Sequence, residues 1–122
     1  MTWSADELAA LRGTDELQLS SHRADGTLRP AVTIWMVVVD GRLYVRSAGG
    51  SNNWYRRALT SGSGSVRAGR TEREVTFVDD PTAPHDDLDA AYRQKYRRYA
   101  GSIVDNVVGD WMRTLTLRVD PA

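Results

Sequence analysis

Between Ala31 and Val39 the chain runs nine residues with Thr33 as the one clearly polar side chain. Read with strand periodicity from Leu28 to Val39, the segment puts Val32, Ile34, Met36 and Val38 on one face. Ala31, Thr33, Trp35, Val37 and Val39 fall on the other. A strand that is apolar on both faces has to be central, with something packed on each side. The run is also far short of the roughly twenty residues needed to cross a bilayer, so no membrane partner is expected.

The flanking sequence supplies the neighbours of that strand. Leu17, Leu19 and Ser21 alternate with Gln18, Ser20 and His22, the period of a half-buried strand, and Asp25-Gly26 marks a turn after it. Asp40-Gly41 is a second two-residue turn signal. Beyond it Leu43, Val45 and Ser47 alternate with Arg42, Tyr44 and Arg46. Three strands in a meander result. Ahead of them Ser4 and Glu7 form a capping box before Leu8 and Leu11, and Gly13 is a stop signal, which predicts a helix over Ala5 to Arg12.

After the meander the signals predict a helix from Trp54 to Thr60 ended by Gly62, with the preceding asparagines as caps. A hairpin of Ser65 to Ala68 and Glu72 to Val78 follows around Gly69-Arg70. The next helix is opened by Asp86, Asp87 and Asp89 and closed by Lys95, Arg97 and Arg98, the charge order that complements a helix dipole. One more helical turn is expected within Gly101 to Val108, and a strand from Trp111 to Val119. The order is α, βββ, α, ββ, α, β in one domain spanning residues 1–122. Six mostly antiparallel strands with a single-strand return are best accommodated by a mainly β (α+β) small barrel, closed or split, with helices plugging its ends.

Composition removes several function classes. Sixteen basic residues balance sixteen acidic ones, leaving no field to attract nucleic acid. There is no cysteine, and His22 and His85 stand far apart, so no metal site is expected. Acids occupy the N-terminal segment where a secretion signal would carry basic residues, which places the chain in the cytoplasm. Nucleophile elbows, phosphate loops and His-Glu-x-x-His are missing. If the protein is an enzyme, an organic cofactor does the electron chemistry and the barrel holds it.

The stretch Arg46-Ser47-Ala48-Gly49-Gly50-Ser51-Asn52-Asn53-Trp54-Tyr55-Arg56-Arg57 is the candidate for that holding role. Glycines let backbone N–H groups approach a ligand, and a helix start directly after them offers unpaired donors to an anion. Arg56 and Arg57 in the first helical turn oppose the dipole, and a phosphate nearby would explain them. The same pattern also reads as plain chain turning, with Trp54 in the core and both arginines in water. Thr33 and Trp35 share one strand face and either flank a planar ring or serve the core.

Ser47-x-Gly49-Gly50 followed by Trp54-Tyr55-x-x-x-Leu59, after Leu43-Tyr44-Val45, resembles the deazaflavin-dependent nitroreductases. These belong to the flavin-binding split β-barrel group that includes the pyridoxamine-phosphate-oxidase-like proteins. The resemblance runs from Thr27 to Val119, and Asp89 to Tyr96 looks like the signature of a small uncharacterised bacterial family in the same group. It implies FMN or a deazaflavin coenzyme, with the phosphate side on Arg46, Ser47, Gly49, Gly50 and the helix start at Asn53 and Trp54. Arg56 or Arg57 would lie in reach and the ring along the central strands. It further implies a substrate pocket drawing on Tyr92, Tyr96 and Tyr99, although a Tyr stripe at this spacing also packs. Because relatives often build the cleft between two subunits, a homodimer is implied as well. These enzymes usually carry Lys immediately before the Gly pair, where this chain has Ala48. The loss of that cation favours the alternative of a split-barrel module that binds a small anionic or aromatic ligand without catalysis.

Overall fold

The computed structural model describes residues 2–122. Its elements follow the expected order: α1 (Ala5–Arg12), β1 (Glu16–Ser21), β2 (Val32–Val39), β3 (Arg42–Arg46), α2 (Asn53–Ser61), β4 (Ser63–Ala68), β5 (Thr71–Val78), α3 (His85–Lys95), α4 (Gly101–Val104) and β6 (Thr116–Pro121). Short 3-10 turns at Asp105–Val107 and Asp110–Met112 lie between α4 and β6. The six strands close into an antiparallel barrel in the order β1-β2-β3-β6-β5-β4. Among the described residues no helix is long and apolar enough to cross a membrane.

Both apolar faces of β2 are used. Met36 is fully buried inside the barrel with Leu17, Leu19, Leu43, Val45, Leu117 and Val119, and Val32, Ile34 and Val38 pack against that core. Trp3 and Leu11 at the α1 end and Tyr55 and Ala58 of α2 are built into the same cluster. On the other face Val37 and Tyr44 meet Leu88, Tyr92 and Tyr96 of α3 and Val104, Val107 and Val108, in a second buried cluster. The expectation that the helices plug the barrel ends therefore needs correcting for α3, which lies on the outer wall. Each fully buried aliphatic side chain of these layers contributes about 1.5–3 kcal/mol.

Three boundaries differ from the sequence reading by three residues or more, each for a local reason. The β2 ladder begins at Val32 rather than Leu28: Leu19 pairs with Val32, yet the next bridge joins His22 to Leu28. Three steps on one strand thus face four on the other. The additional residue falls beside Pro30, which has no N–H for a ladder. The last strand begins at Thr116 rather than Trp111, because the chain turns at Gly109 (φ +101°) and the Trp111 indole donates to the Val108 carbonyl at 2.8 Å. α3 ends at Lys95 rather than Arg98, and Lys95 does not stand in water at the helix end. Its ammonium donates to the carbonyls of Leu11 and Met36, both at 3.0 Å, and no carboxylate bonds it.

Two measurements follow. A Cβ at Gly64 in β4 would stand 2.0 Å from the Ser20 carbonyl oxygen of the neighbouring strand. Gly64→Ala should therefore cost at least about 2 kcal/mol in urea denaturation. Burial lowers the Lys95 pKa from 10.5 to about 8. The unfolded chain then holds more protons than the native one between those values, so stability should rise as pH increases from about 8 towards 10. Burial raises the phenol pKa values of Tyr92 and Tyr96, which ends the rise at higher pH. Melting temperatures across this range should show the slope, and Lys95→Met should remove it.

Candidate active site

The turn after β3 is where the sequence reading concentrated, and its geometry is set by Ser47. That side chain is fully buried; its hydroxyl accepts the Asn52 N–H at 2.9 Å and donates to the Gly50 carbonyl. Gly49 and Gly50 adopt φ of +75° and +139°, backbone that side chains other than glycine rarely take. Asn52, rather than Asn53, is the residue before α2, and its amide donates to the Ala48 carbonyl at 2.9 Å instead of capping the helix.

Both glycine N–H donors of this turn are already used. The Gly49 N–H donates to the Asn106 carbonyl at 3.1 Å and the Gly50 N–H to the Ser47 carbonyl at 3.4 Å. Arg46 is 2% exposed and its guanidinium is spent on the protein. Nε donates to Thr116 Oγ1 at 3.0 Å, and Nη1 to the Asp89 carboxylate and to the Val107 carbonyl at 2.9 Å. Nη2 meets His85 Nδ1 at 3.2 Å and the His85 carbonyl at 3.5 Å. Because Arg always donates, His85 Nδ1 accepts. Burial, then the Arg46 charge, holds the His85 pKa below its ordinary value, in keeping with a neutral ring.

A cleft of about 400 Å³ opens beside this turn. Arg46, Ala48, Asn52 and Trp54 line it from the turn; Glu16, Thr33, Ile34 and Trp35 from β1 and β2; and Ile103, Asn106 and Val107 from the α4 region. Trp35 is held from behind by Tyr96, their rings stacked at 3.9 Å and 5°. Tyr96 is locked in turn, donating to the Asp15 carbonyl at 2.6 Å and accepting the Met36 N–H at 3.0 Å. The Thr33 hydroxyl donates to Gln18 Oε1 at 2.9 Å, which leaves its oxygen free to accept. The cleft thus offers two indoles, four aliphatic side chains, one carboxylate and two amides. Its single cation, Arg46, is already neutralised by Asp89.

Of the expected site residues, Arg46 and Trp54 border the cleft. Gly49 and Gly50 shape the adjoining turn without lining it, and Ser47 ties that turn together. Asn53, Arg56 and Arg57 are exposed and lie off the cleft. Arg56 folds back on Ser51 and Asn53, so the guanidiniums expected at a phosphate are not there. Tyr92 and Tyr96 are fully buried and cannot face a substrate, and Tyr99 borders a separate recess with Asp15 and Arg98. The tyrosine stripe is the packing layer behind Trp35. Glu16, Asn106, Ile103 and the Asp89–His85 pair escaped the sequence reading, since each reaches the site only through tertiary folding. Among the described residues no group of three or more His, Cys, Asp or Glu is placed to hold a metal ion.

The six-stranded closed antiparallel barrel is the split-barrel fold of the pyridoxamine-phosphate-oxidase-like proteins. The chain belongs to the family described as uncharacterized proteins conserved in bacteria (DUF2255), whose model matches residues 7–119. Among curated proteins none matches the sequence. Similar solved structures include a putative pyridoxamine 5'-phosphate oxidase from Listeria innocua (14% identity, 93% of this chain and 89% of that one, TM-score 0.62). HutZ, a heme storage protein from Vibrio cholerae, is 13% identical over 97% of this chain and 89% of that one, with a TM-score of 0.63. An F420-H2 dependent reductase is 16% identical over 87% of this chain and 93% of that one, with a TM-score of 0.58. At these identities the likeness is one of fold.

Asp89 is the one carboxylate bonded to the buried Arg46. Removing it by Asp89→Ala should destabilise the protein by about 2–4 kcal/mol, because a desolvated charge is left without its counter-ion. Arg56→Ala should fall within about 0.5 kcal/mol of the parent. Denaturant titration of the two variants checks the contrast; equal effects would mean that Arg46 does not hold the site together.

Proposed function

We propose that the cleft receives the ring of a flavin or deazaflavin and that the protein is an oxidoreductase acting on a small organic acceptor. The observation that carries this reading is the wall made by Trp35 and Trp54 around a cleft of about 400 Å³, with Trp35 fixed by its stack on Tyr96. Rigid indoles bury a flat heteroaromatic at low entropic cost. Two of the similar folds, by their names a pyridoxamine 5'-phosphate oxidase and an F420-H2 dependent reductase, make the cofactor class a reasonable one. When bound, such a group supplies hydride or electron transfer. This chain would supply the indole faces, the Asn52 and Asn106 amides and the Thr33 oxygen for ring heteroatoms, and exclusion of water by Ile34, Ile103 and Val107. Ile103, which lines the cleft, and Trp111, which does not, are each 47% exposed. A second copy covering them, with the cofactor between subunits in the cytoplasm, belongs to this reading.

The residues fit the ring but not the phosphate arm. No unpaired cation lines the cleft, the Gly49 and Gly50 amides are bonded within the protein, and Glu16 adds negative charge. Those same facts favour a second reading, a module that binds a small aromatic ligand and catalyses nothing.

Titrations followed by visible absorbance and fluorescence separate the two. Riboflavin and FMN should bind with affinities within about threefold of each other, because nothing in the cleft reads the phosphate. Trp35→Ala should weaken both by about tenfold, the scale of losing one stacking partner. If neither flavin nor the deazaflavin coenzyme binds, the oxidoreductase reading fails and the module reading stands.

A further inference from the structure

A second cavity, of about 690 Å³, is lined by the segment after β1, the far part of α2 and the first residue of β4. Arg23, Arg29 and Arg57 border it together with His22, Ser61 and Ser63, and no carboxylate lines it. In a chain whose formal charges cancel, three arginines around one concavity are a local concentration of a single sign. Like charges so gathered repel one another unless an anion sits among them.

Arg29 gives the arrangement its direction. Its backbone is anchored by an N–H bond to the Ser21 carbonyl at 2.9 Å, while its Nε is buried without a hydrogen-bond partner. A buried guanidinium nitrogen left unpaired is costly, and Arg46 in the same molecule shows the alternative, with every nitrogen bonded. Arg23 is positioned by two bonds from Nη1, to the Leu28 carbonyl at 3.0 Å and to Thr27 Oγ1 at 3.3 Å, which leaves its other N–H groups free. Of the acids in the neighbourhood, Asp25 carries a charge that Arg23 feels, but no carboxylate comes within ion-pair distance of Arg29 or Arg57 among the described residues. Asp25 accepts from the Thr27 hydroxyl and amide at 2.6 and 3.0 Å, and Glu74 stands 3.9 Å from His22 Nε2.

We infer that this cavity is a binding site for a dianionic phosphate group, free or as a monoester, held by the Arg29 and Arg57 guanidiniums with Arg23 at the edge. Planar N–H forks match the oxygens of a phosphate in pairs, and charge-assisted bonds of this kind are the strong ones. The site is separate from the aromatic cleft and shares no lining residue with it. It stands whether or not a flavin binds.

The test is titration of the whole protein with inorganic phosphate at low ionic strength, followed by calorimetry and by the NMR signals of the arginine Nε–H groups, with acetate as a monoanion control. Saturable binding that moves the Arg29 Nε–H signal is expected, with acetate at least about tenfold weaker. Arg29→Ala and Arg57→Ala should each weaken phosphate by about tenfold or more, and Arg56→Ala should leave it unchanged. Circular dichroism of each variant verifies the fold, and Arg29→Lys, which keeps the charge but not the fork, should still lose most of the affinity. Non-saturable binding, equal binding of acetate, or an equal loss in Arg56→Ala would overturn the site.

Discussion

The packing of the outer layer turns on one buried cation. Arg46 leaves the end of β3 and reaches β6 through Thr116, α3 through Asp89 and His85, and the turn before β6 through Val107. Placing a guanidinium at 2% exposure costs several kcal/mol of hydration, and only a full set of acceptors offsets it. Leu17, Leu19, Leu43 and Leu117 of the barrel interior need no such device and are held by apolar burial. The wall behind the cleft does need it, because α3 and the 101–108 segment join the barrel from outside.

That arrangement divides the chemistry of the surface. With Arg46 consumed in structure, the cleft beside it is walled by two indoles and carries the Glu16 carboxylate without a free cation. Three arginines outside the ion pairs, Arg23, Arg29 and Arg57, border the second cavity instead. In the turn from Ser47 to Asn52 the Gly49, Gly50 and Asn52 amides go to Asn106 and Ser47, so these three shape the cleft rather than reach for an anion.

The fold was legible because the strand period, the Asp40-Gly41 turn and the Ser4–Glu7 box are local signals, and the two apolar faces of β2 demanded packing on both sides. The β2–β3 turn closes as read, with Asp40 at φ 53° and Gly41 at 72°. The misread boundaries came from events with weak local signals, such as the residue beside Pro30 that leaves the ladder and the Gly109 turn ahead of β6. The site was legible in part. Glycines at 49 and 50 announced a special turn, but where their N–H groups go depends on Asn106, far along the chain. Nor can spacing alone say which of fifteen arginines is buried; Arg46 is singled out only once Asp89 arrives on α3.

The tyrosine stripe shows why the same residues can look functional and be structural. Tyr92 and Tyr96 lie on the face of α3 that meets Val37 and Tyr44, and their burial excludes them from any ligand. Yet Tyr96 holds Trp35 by a flat stack and is itself pinned to the Met36 amide and the Asp15 carbonyl. β2 therefore places Met36 in the barrel core and Trp35 in the cleft wall one residue apart, with a single phenol fixing both. A ligand entering the cleft meets an indole whose orientation has been settled by folding, so little ordering entropy is left to be lost on binding.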